Sequence, residues 1–383
     1  MFHSSYIELS KSALQNNIQF IKQQIGPNVT LSSVIKGNAY GHGIEQFAPL
    51  AQQCGITHFS VYSADEAQRL LAVLPEPATI MIMGYLDAEE LEWAISHELE
   101  FFVFEPARLT EALHVAKQLQ KKARIHLELE TGMYRTGFDA AALEQVIAQL
   151  KTEGQHVVLQ GVCTHYAGAE SSENQARIHA QFHNYNETVR HLQQQGLYPA
   201  QQHTACSAAM ISYPETRMDL VRIGIMQYGL WPSPETYQQF MGNYQGQKDP
   251  LQRLISWKSH VMSLKSVPKG AYVGYGTSYQ APRDMVLAVV PVGYAWGYSR
   301  SLSNNGQVLI CGQRANVVSI VNMNGMMVDV TDIPEVQQND EVVLLGKQGN
   351  QSITVASFGE LSMQLNYELL TRLPLNIPRY IVD

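Results

Sequence analysis

The stretch 31–43, LSSVIKGNAYGHG, runs from an apolar segment into one lysine and then into a turn rich in glycine. A lysine at the end of a buried strand is desolvated, which lowers its pKa and makes it a usable nucleophile or base. The glycines at 37, 41 and 43 let backbone come close to a ligand. The plainer reading is that Lys36 only carries its charge out to the rim of the fold. Other residues bear on that choice. The segment 124–130, RIHLELE, alternates strictly. Ile125, Leu127 and Leu129 share one face, and His126, Glu128 and Glu130 share the other. Carboxylates turned inward need partners. Arg135, in TGMYRTG just beyond, is the natural one, with an ordinary structural ion pair as the alternative. His165 closes the run GVCTH, Ser207 follows in HTACSAA, and Arg222 lies within the apolar DLVRIGIMQYG. A lone histidine is more often a satisfied core residue than a catalytic one, but an arginine inside an apolar strand must meet an acceptor. The Ser207 hydroxyl and the backbone N–H groups of Gly224 and Ile225 can bind a phosphate. A lysine, a phosphate cradle and an inward arginine match pyridoxal phosphate, which needs a Schiff-base lysine, a phosphate site and a partner for its pyridine nitrogen.

These residues meet only if their elements share one end of a fold. Strand-like runs fall at 31–35, 58–62, 79–84, 101–104, 124–130, 158–165, 203–206 and 220–228, with helical patterns between most of them, for example at 10–24, 140–150 and 176–192. Strand alternating with helix implies an α/β fold with a parallel sheet. Eight such units in this length predict a (β/α)8 TIM barrel, whose active-site groups sit at the C-terminal ends of its strands. That is where Lys36, Glu130 and His165 stand. After residue 245 the texture changes. GNYQGQKDP reads as a linker, and short strands at 286–291, 307–310 and 341–345 joined by Gly and Asn turns predict a mostly β C-terminal domain. The expected division is a pyridoxal-phosphate-binding barrel at 1–245 and a β-rich domain at 246–383, with the first few residues free to pack with the latter.

The net charge of −8 shows no basic cluster, which argues against nucleic acid or an anionic membrane as partner. No apolar run reaches the roughly 18 residues of a membrane helix, and MFHSSYIELSKS lacks the regions of a signal peptide. The four cysteines are scattered without a CxxC pair, so neither a metal site nor a disulfide framework is expected, and a reducing cytoplasm fits.

From Tyr6 onward the chain resembles the bacterial alanine racemases. VIKGNAYGHG, TGMYRTGF, THYAGAE, DLVRIGIMQYG, VGYGTSY, VPVGYAWGYSR and NYELLTRLPLNIPRY occur in that family's order. The resemblance implies a barrel followed by a β domain, assembled as a head-to-tail homodimer with shared active sites, and a pyridoxal 5'-phosphate-dependent isomerase supplying D-alanine for the cell wall. It implies that Lys36 holds the cofactor and is the base on one face of the amino acid, with Tyr275 of the partner subunit the acid/base on the other. It assigns His165 and Arg222 to helping Tyr275 ionise, and Arg222 to the pyridine nitrogen. An arginine that keeps its proton leaves that nitrogen unprotonated. Tyr40, Ser207, Gly224, Ile225 and Tyr367 match the phosphate set. Arg135 and Met323 match the positions that receive the substrate carboxylate. Glu128 stands where many relatives carry a carbamylated lysine, and supplies a carboxylate directly. A bidentate contact from Glu128 would hold Arg135.

The chain departs from the family at SIVNMNG, where Ile320 and Asn324 flank Met323 in place of arginine and aspartate, and at GYAWG, where Trp296 replaces aspartate. These changes make the substrate's surroundings less polar and leave open a racemase of broader or different specificity. Two other readings stand: another pyridoxal-phosphate reaction on this fold, such as decarboxylation or aldol cleavage, and a cofactor-carrying protein without catalysis. No CxxxD-type motif occurs at the matching place and no histidine follows His260, against the first. The β domain and Tyr275 argue against the second.

Overall fold

The computed structural model describes residues 3–244, 246, 248–355 and 366–383. The expected domain boundary at 245 falls on a residue outside that set. The chain forms two compact units: Ser12–Lys36 with Ala48–Arg253, and Met1–Lys11 with Gly37–Phe47 and Leu254–Asp383.

The strand β1 (Ser5–Ser10) opens the chain, and the first of these units is built on the next eight strands: β2 (Thr30–Val34), β3 (His58–Val61), β4 (Thr79–Ile82), β5 (Glu100–Val103), β6 (Ala123–Glu128), β7 (Val157–Cys163), β8 (Gln201–His203) and β9 (Leu220–Ile223). Their order is β8-β7-β6-β5-β4-β3-β2-β9, with every pairing parallel. The ladder stops at β8 and β9, and irregular bonds finish the circle. Asp219 N–H donates to Gln202 O at 3.1 Å and Arg222 N–H to Ala205 O at 2.9 Å. The expected eight-stranded barrel with helices between its strands is therefore present, nearly closed. Parallel strands covered on both faces are buried throughout, and β3, β5 and β9 have no exposed position. The amphipathic helices Lys11–Ile25, Ala140–Glu153 and Gln175–Gln194 turn their apolar stripes to that sheet's unit.

Element ends moved where local chemistry intervened. The run 220–228 is a strand only as far as Ile223. Gly224 leaves the extended region (φ −98°, ψ −97°) and Ile225–Tyr228 coils into a 3₁₀ turn. The helix Pro234–Asn243 reaches into the expected linker, because Ser233 caps it by accepting from Thr236 N–H and Pro234 suits its first turn.

The second unit is a ten-stranded sheet. Its strands are β1, β10 (Ile255–His260), β11 (Ser263–Val267), β12 (Met285–Val290), β13 (Gln307–Ile310), β14 (Gln313–Val318), β15 (Met326–Asp329), β16 (Glu341–Gln348), β17 (Gln351–Ile353) and β18 (Arg379–Val382). The order is β11-β12-β15-β14-β13-β16-β10-β1-β18, with β17 on β16. The mostly β C-terminal domain is thus present, and β1 lies inside its sheet. Ile7 pairs with Trp257 on one side and Arg379 on the other.

Candidate active site

In the barrel unit, Lys36 lies two residues past β2, just after Ile35, whose N–H donates to Ser60 O at 2.9 Å. Its side chain is accessible but ringed by protein. Burial first, and the Arg135 and Arg222 cations next, push its pKa down, with Glu66 opposing them.

Arg222, on β9, is 5% exposed. Its two Nη groups reach His203 Nδ1 (2.5 Å), His203 O (2.8 Å), Thr164 O (2.7 Å) and Thr204 O (3.4 Å). This answers the demand that a buried arginine meet acceptors. Ser207 Oγ accepts from Gly224 N–H at 3.1 Å, so two of the expected phosphate-binding groups lie side by side. His165 lies two residues past β7. Burial, then the charges of Arg222, Arg135 and Lys36, hold it at about 3, so its imidazole is neutral near pH 7.

The carboxylates of the alternating strand have different partners from those expected. Glu128 accepts from Thr136 Oγ1 at 2.8 Å, and among the described residues no hydrogen bond joins it to Arg135. Burial pushes its pKa up against the pull of Thr136, Arg222 and Arg135. Glu130 caps its own turn instead, accepting from the N–H groups of Gly132, Met133 (2.8 Å) and Tyr134 (2.7 Å). That turn presents the exposed Arg135.

In the second unit, the chain after Lys36 makes a left-handed turn: Gly37 (φ 62°), Asn38 (56°), Ala39 (53°) and Tyr40 (52°). Each L residue there costs about 1–2 kcal/mol. The turn is fastened by Gly41 N–H to Gly37 O and Gly43 N–H to Asn38 O, and by Arg379, whose Nε and Nη2 donate to Gly41 O at 3.1 and 2.9 Å. It presents Tyr40 edge-on to Tyr367, ring centroids 6.2 Å apart.

Tyr275 is 70% exposed and flanked by left-handed glycines, Gly274 (φ 68°) and Gly276 (φ 66°). Ser319 anchors this loop, its hydroxyl donating to Val273 O at 2.6 Å. Met323 is 54% exposed. The NMNG and GYAWG turns are stitched together: Tyr294 N–H donates to Asn322 O and Ala295 N–H to Met323 O, both at 3.0 Å. Gly293 is required there, since a Cβ would lie 2.0 Å from Asn322 O. The three departures Trp296, Ile320 and Asn324 thus belong to adjoining turns.

The barrel unit therefore brings together Lys36, Glu128, Arg135, His165, Ser207, Arg222, Gly224 and Ile225. The second unit carries Tyr40 with Tyr367, Tyr275 on one loop, and Met323 on another. Sequence reasoning missed His203 and Glu100, which meet Arg222 and His126. The inward face assigned to His126 was the signal that could have led to them.

The alanine racemase N-terminal domain family matches residues 9–232, and the alanine racemase C-terminal domain family matches residues 254–381. An alanine racemase of Leptospira interrogans is 34% identical over 382 residues, covering 100% of this chain and 96% of that relative. One from Methanococcus maripaludis is 31% identical over 380 residues, 98% of each. Among solved structures, the alanine racemase of Clostridium difficile 630 superposes with a TM-score of 0.91 at 27% identity, covering 100% of this chain and 96% of that one. The Bacillus anthracis alanine racemase with bound L-Ala-P gives 0.91 at 29% identity, with the same coverage.

Proposed function

We propose, proceeding from the premise that the chain belongs to the alanine racemase family and is an amino-acid racemase, that it interconverts L- and D-alanine with pyridoxal 5'-phosphate by a two-base mechanism. The residues fit that cofactor on three counts. Lys36 is accessible with a lowered pKa. Arg222 commits its Nη groups to protein acceptors, and its Nε–H has no protein partner among the described residues. The Ser207 hydroxyl and the Gly224 N–H adjoin. Lys36 would hold the cofactor, Arg222 would face its ring nitrogen, and Tyr40, Ser207, Gly224, Ile225 and Tyr367 would hold its phosphate. When bound, pyridoxal phosphate supplies an electron sink that acidifies the Cα–H bond of an attached amino acid.

Lys36 Nζ, whose pKa burial and the neighbouring cations lower, takes or returns the Cα proton on one face. Tyr275 of a partner copy does so on the other, and its exposure leaves it free to act in trans. His165, neutral at pH 7, can accept a hydrogen bond from the phenol of Tyr275. Arg135 and the Met323 backbone hold the substrate carboxylate, with Glu128 supporting the cation. The chain works as a head-to-tail homodimer in the cytoplasm, supplying D-alanine for the cell wall, with the barrel as the cofactor domain. No helix among the described residues is long and apolar enough to cross a membrane.

The observation that carries this reading is the accessible, pKa-lowered Lys36 at the end of β2, beside Arg222 of β9 in the same unit. Incubation with L-alanine and pyridoxal phosphate, followed by chiral analysis, should yield D-alanine approaching an equal mixture. Formation of ethylamine, or recovery of L-alanine alone, would overturn it. The adjoining turns with Trp296, Ile320 and Asn324 favour a second reading, in which larger side chains are also accepted. One methylene is worth only about 1–3 kcal/mol of discrimination. A panel of L-amino acids in which alanine alone turns over would refute that breadth.

A further inference from the structure

Inside the barrel a line of hydrogen bonds runs away from Arg222. Arg222 Nη1 meets His203 Nδ1 at 2.5 Å, His203 Nε2 meets His126 Nδ1 at 2.8 Å, and His126 Nε2 meets Glu100 Oε2 at 2.9 Å. All four side chains are buried, at 5, 0, 0 and 2% exposure. Phe102 packs against both imidazoles, with centroids 6.0 and 5.9 Å away.

The two ends dictate where every proton lies. Arginine has only donors, so His203 Nδ1 accepts and its proton is on Nε2. His126 Nδ1 must then accept as well, and its proton is on Nε2, pointing at a carboxylate that only accepts. If His126 were an imidazolium, its Nδ1–H would force the His203 proton onto Nδ1, where it would meet the Arg222 N–H donor to donor. Both histidines are therefore neutral Nε2–H tautomers, and one polarised path joins a fixed cation to a buried anion. The pKa directions agree. Burial, then Arg222, holds His203 well below its ordinary value, and burial holds His126 down against its bond to Glu100. Burial alone would raise Glu100, but the bond from His126 and the nearby His58 imidazole outweigh it and keep the carboxylate ionised.

Glu100 is itself held in place. Arg124 Nη2 lies 3.2 Å from its other oxygen. His58, fixed by Ser32 Oγ at 2.9 Å, approaches to 3.7 Å.

We propose that Glu100 is a positioning residue for the active site. Through His126 and His203, both neutral and protonated on Nε2, it orients the Arg222 guanidinium and leaves its Nε–H as the donor for a ligand. The functional part of this rests on the reading of Arg222 as the residue facing the cofactor ring nitrogen.

The test is ¹⁵N NMR of the holoenzyme labelled at histidine and, separately, at the ring nitrogen of pyridoxal phosphate. His126 and His203 should both show the neutral Nε2–H pattern from about pH 6 to 9. An Nδ1–H or imidazolium pattern at either one overturns the relay. Glu100→Gln keeps the shape but removes the charge, and its amide can present a donor to His126. It should mix the histidine tautomers, shift the ring-nitrogen resonance and weaken cofactor binding by about tenfold. A folded Glu100→Gln enzyme with an unmoved ring-nitrogen resonance overturns the positioning role. Glu100→Asp keeps the charge and should preserve both tautomers, which tests the anion even if the glutamine variant does not fold. The two readings separate with Arg222→Lys. If that variant leaves the ring-nitrogen resonance in place while the native tautomers are as described, the facing role of Arg222 fails and the relay stands.

Discussion

At the scale of single residues, the site is a set of groups whose ionisation is set by their neighbours. Lys36 is held toward its neutral form by burial and two cations, which is what a group needs that must both bind a cofactor and exchange a proton. Lys36→Ala should remove the visible absorbance band of lysine-linked pyridoxal phosphate and all racemisation; a surviving native band would remove Lys36 from its assigned role. Glu128 lacks the bidentate contact to Arg135 and bonds Thr136 instead, so it acts on Arg135 through its charge alone. Glu128→Gln retains that acceptor and discards the charge. Turnover of alanine should fall and its KM rise, within about tenfold, while the native enzyme ignores added bicarbonate. Full activity in the variant, or activation of the native enzyme by bicarbonate, counts against this role. Lys36, Arg135, His165 and Arg222 could be found in the sequence because each sits at a strand end or is a charge inside an apolar run. Glu100 and His203 were legible only indirectly, through the inward face assigned to His126. EFFV and QQH are short and carry no motif, and only the parallel register that sets β5 beside β6 and β7 beside β8 brings their side chains together.

At the scale of elements, the eight barrel strands were readable because each is a compact apolar run between helical patterns. Their last residues were not. The backbone bend at Gly224 and the exit of β7 at Cys163 depend on bonds formed across the barrel. The left-handed turn was half readable: glycines at 37, 41 and 43 announced a close approach, but nothing in Asn38, Ala39 or Tyr40 declares a positive φ. That turn is held by its surroundings, so its weak point is where packing is tightest. A Cβ on Gly41 (φ 82°) would lie 1.8 Å from Leu370 O, whereas one on Gly26 (φ 79°) would meet nothing within 4 Å. The two backbones share a conformation and differ in space. Gly26→Ala should cost about 1 kcal/mol of strain. Gly41→Ala adds a steric clash, should cost about 3 kcal/mol or more, and should also weaken cofactor binding by displacing Tyr40. Equal melting temperatures for the two variants would contradict this account.

At the scale of the whole molecule, buried histidines make the protein sensitive to acid. His42 and His165 are each held at about 3, His126 is lowered, and His203 lies well below its ordinary value, burial being the leading cause in every case. The unfolded chain takes up protons below about 6.5 that the folded chain refuses, so stability is fully present above that pH and is lost as pH falls toward 3. Each such group costs about 1.4 kcal/mol per pH unit in that window. Glu128, raised by burial, works the other way, gaining stability as pH falls through its folded pKa, but one carboxyl is outnumbered. The melting temperature of the cofactor-free protein should drop steeply between about pH 6.5 and 4; a flat profile would show these imidazoles to be charged in the fold. The dimer reading has its own test. Mixing Lys36→Ala with Tyr275→Phe should restore one intact site per heterodimer, and no recovery despite proven subunit exchange would rule out a site shared between copies. One further consequence follows from the place of β1 between β10 and β18. On the ribosome, residues 5–10 precede their parallel neighbour by about 370 residues, which at 5–20 residues per second is roughly 20–70 s of synthesis. Throughout that interval the strand has an open edge that any passing chain could pair with. The interval between translating β1 and translating β18 is thus when the newborn protein most needs a chaperone, and slowing translation should raise aggregation more than diluting the finished chain lowers it.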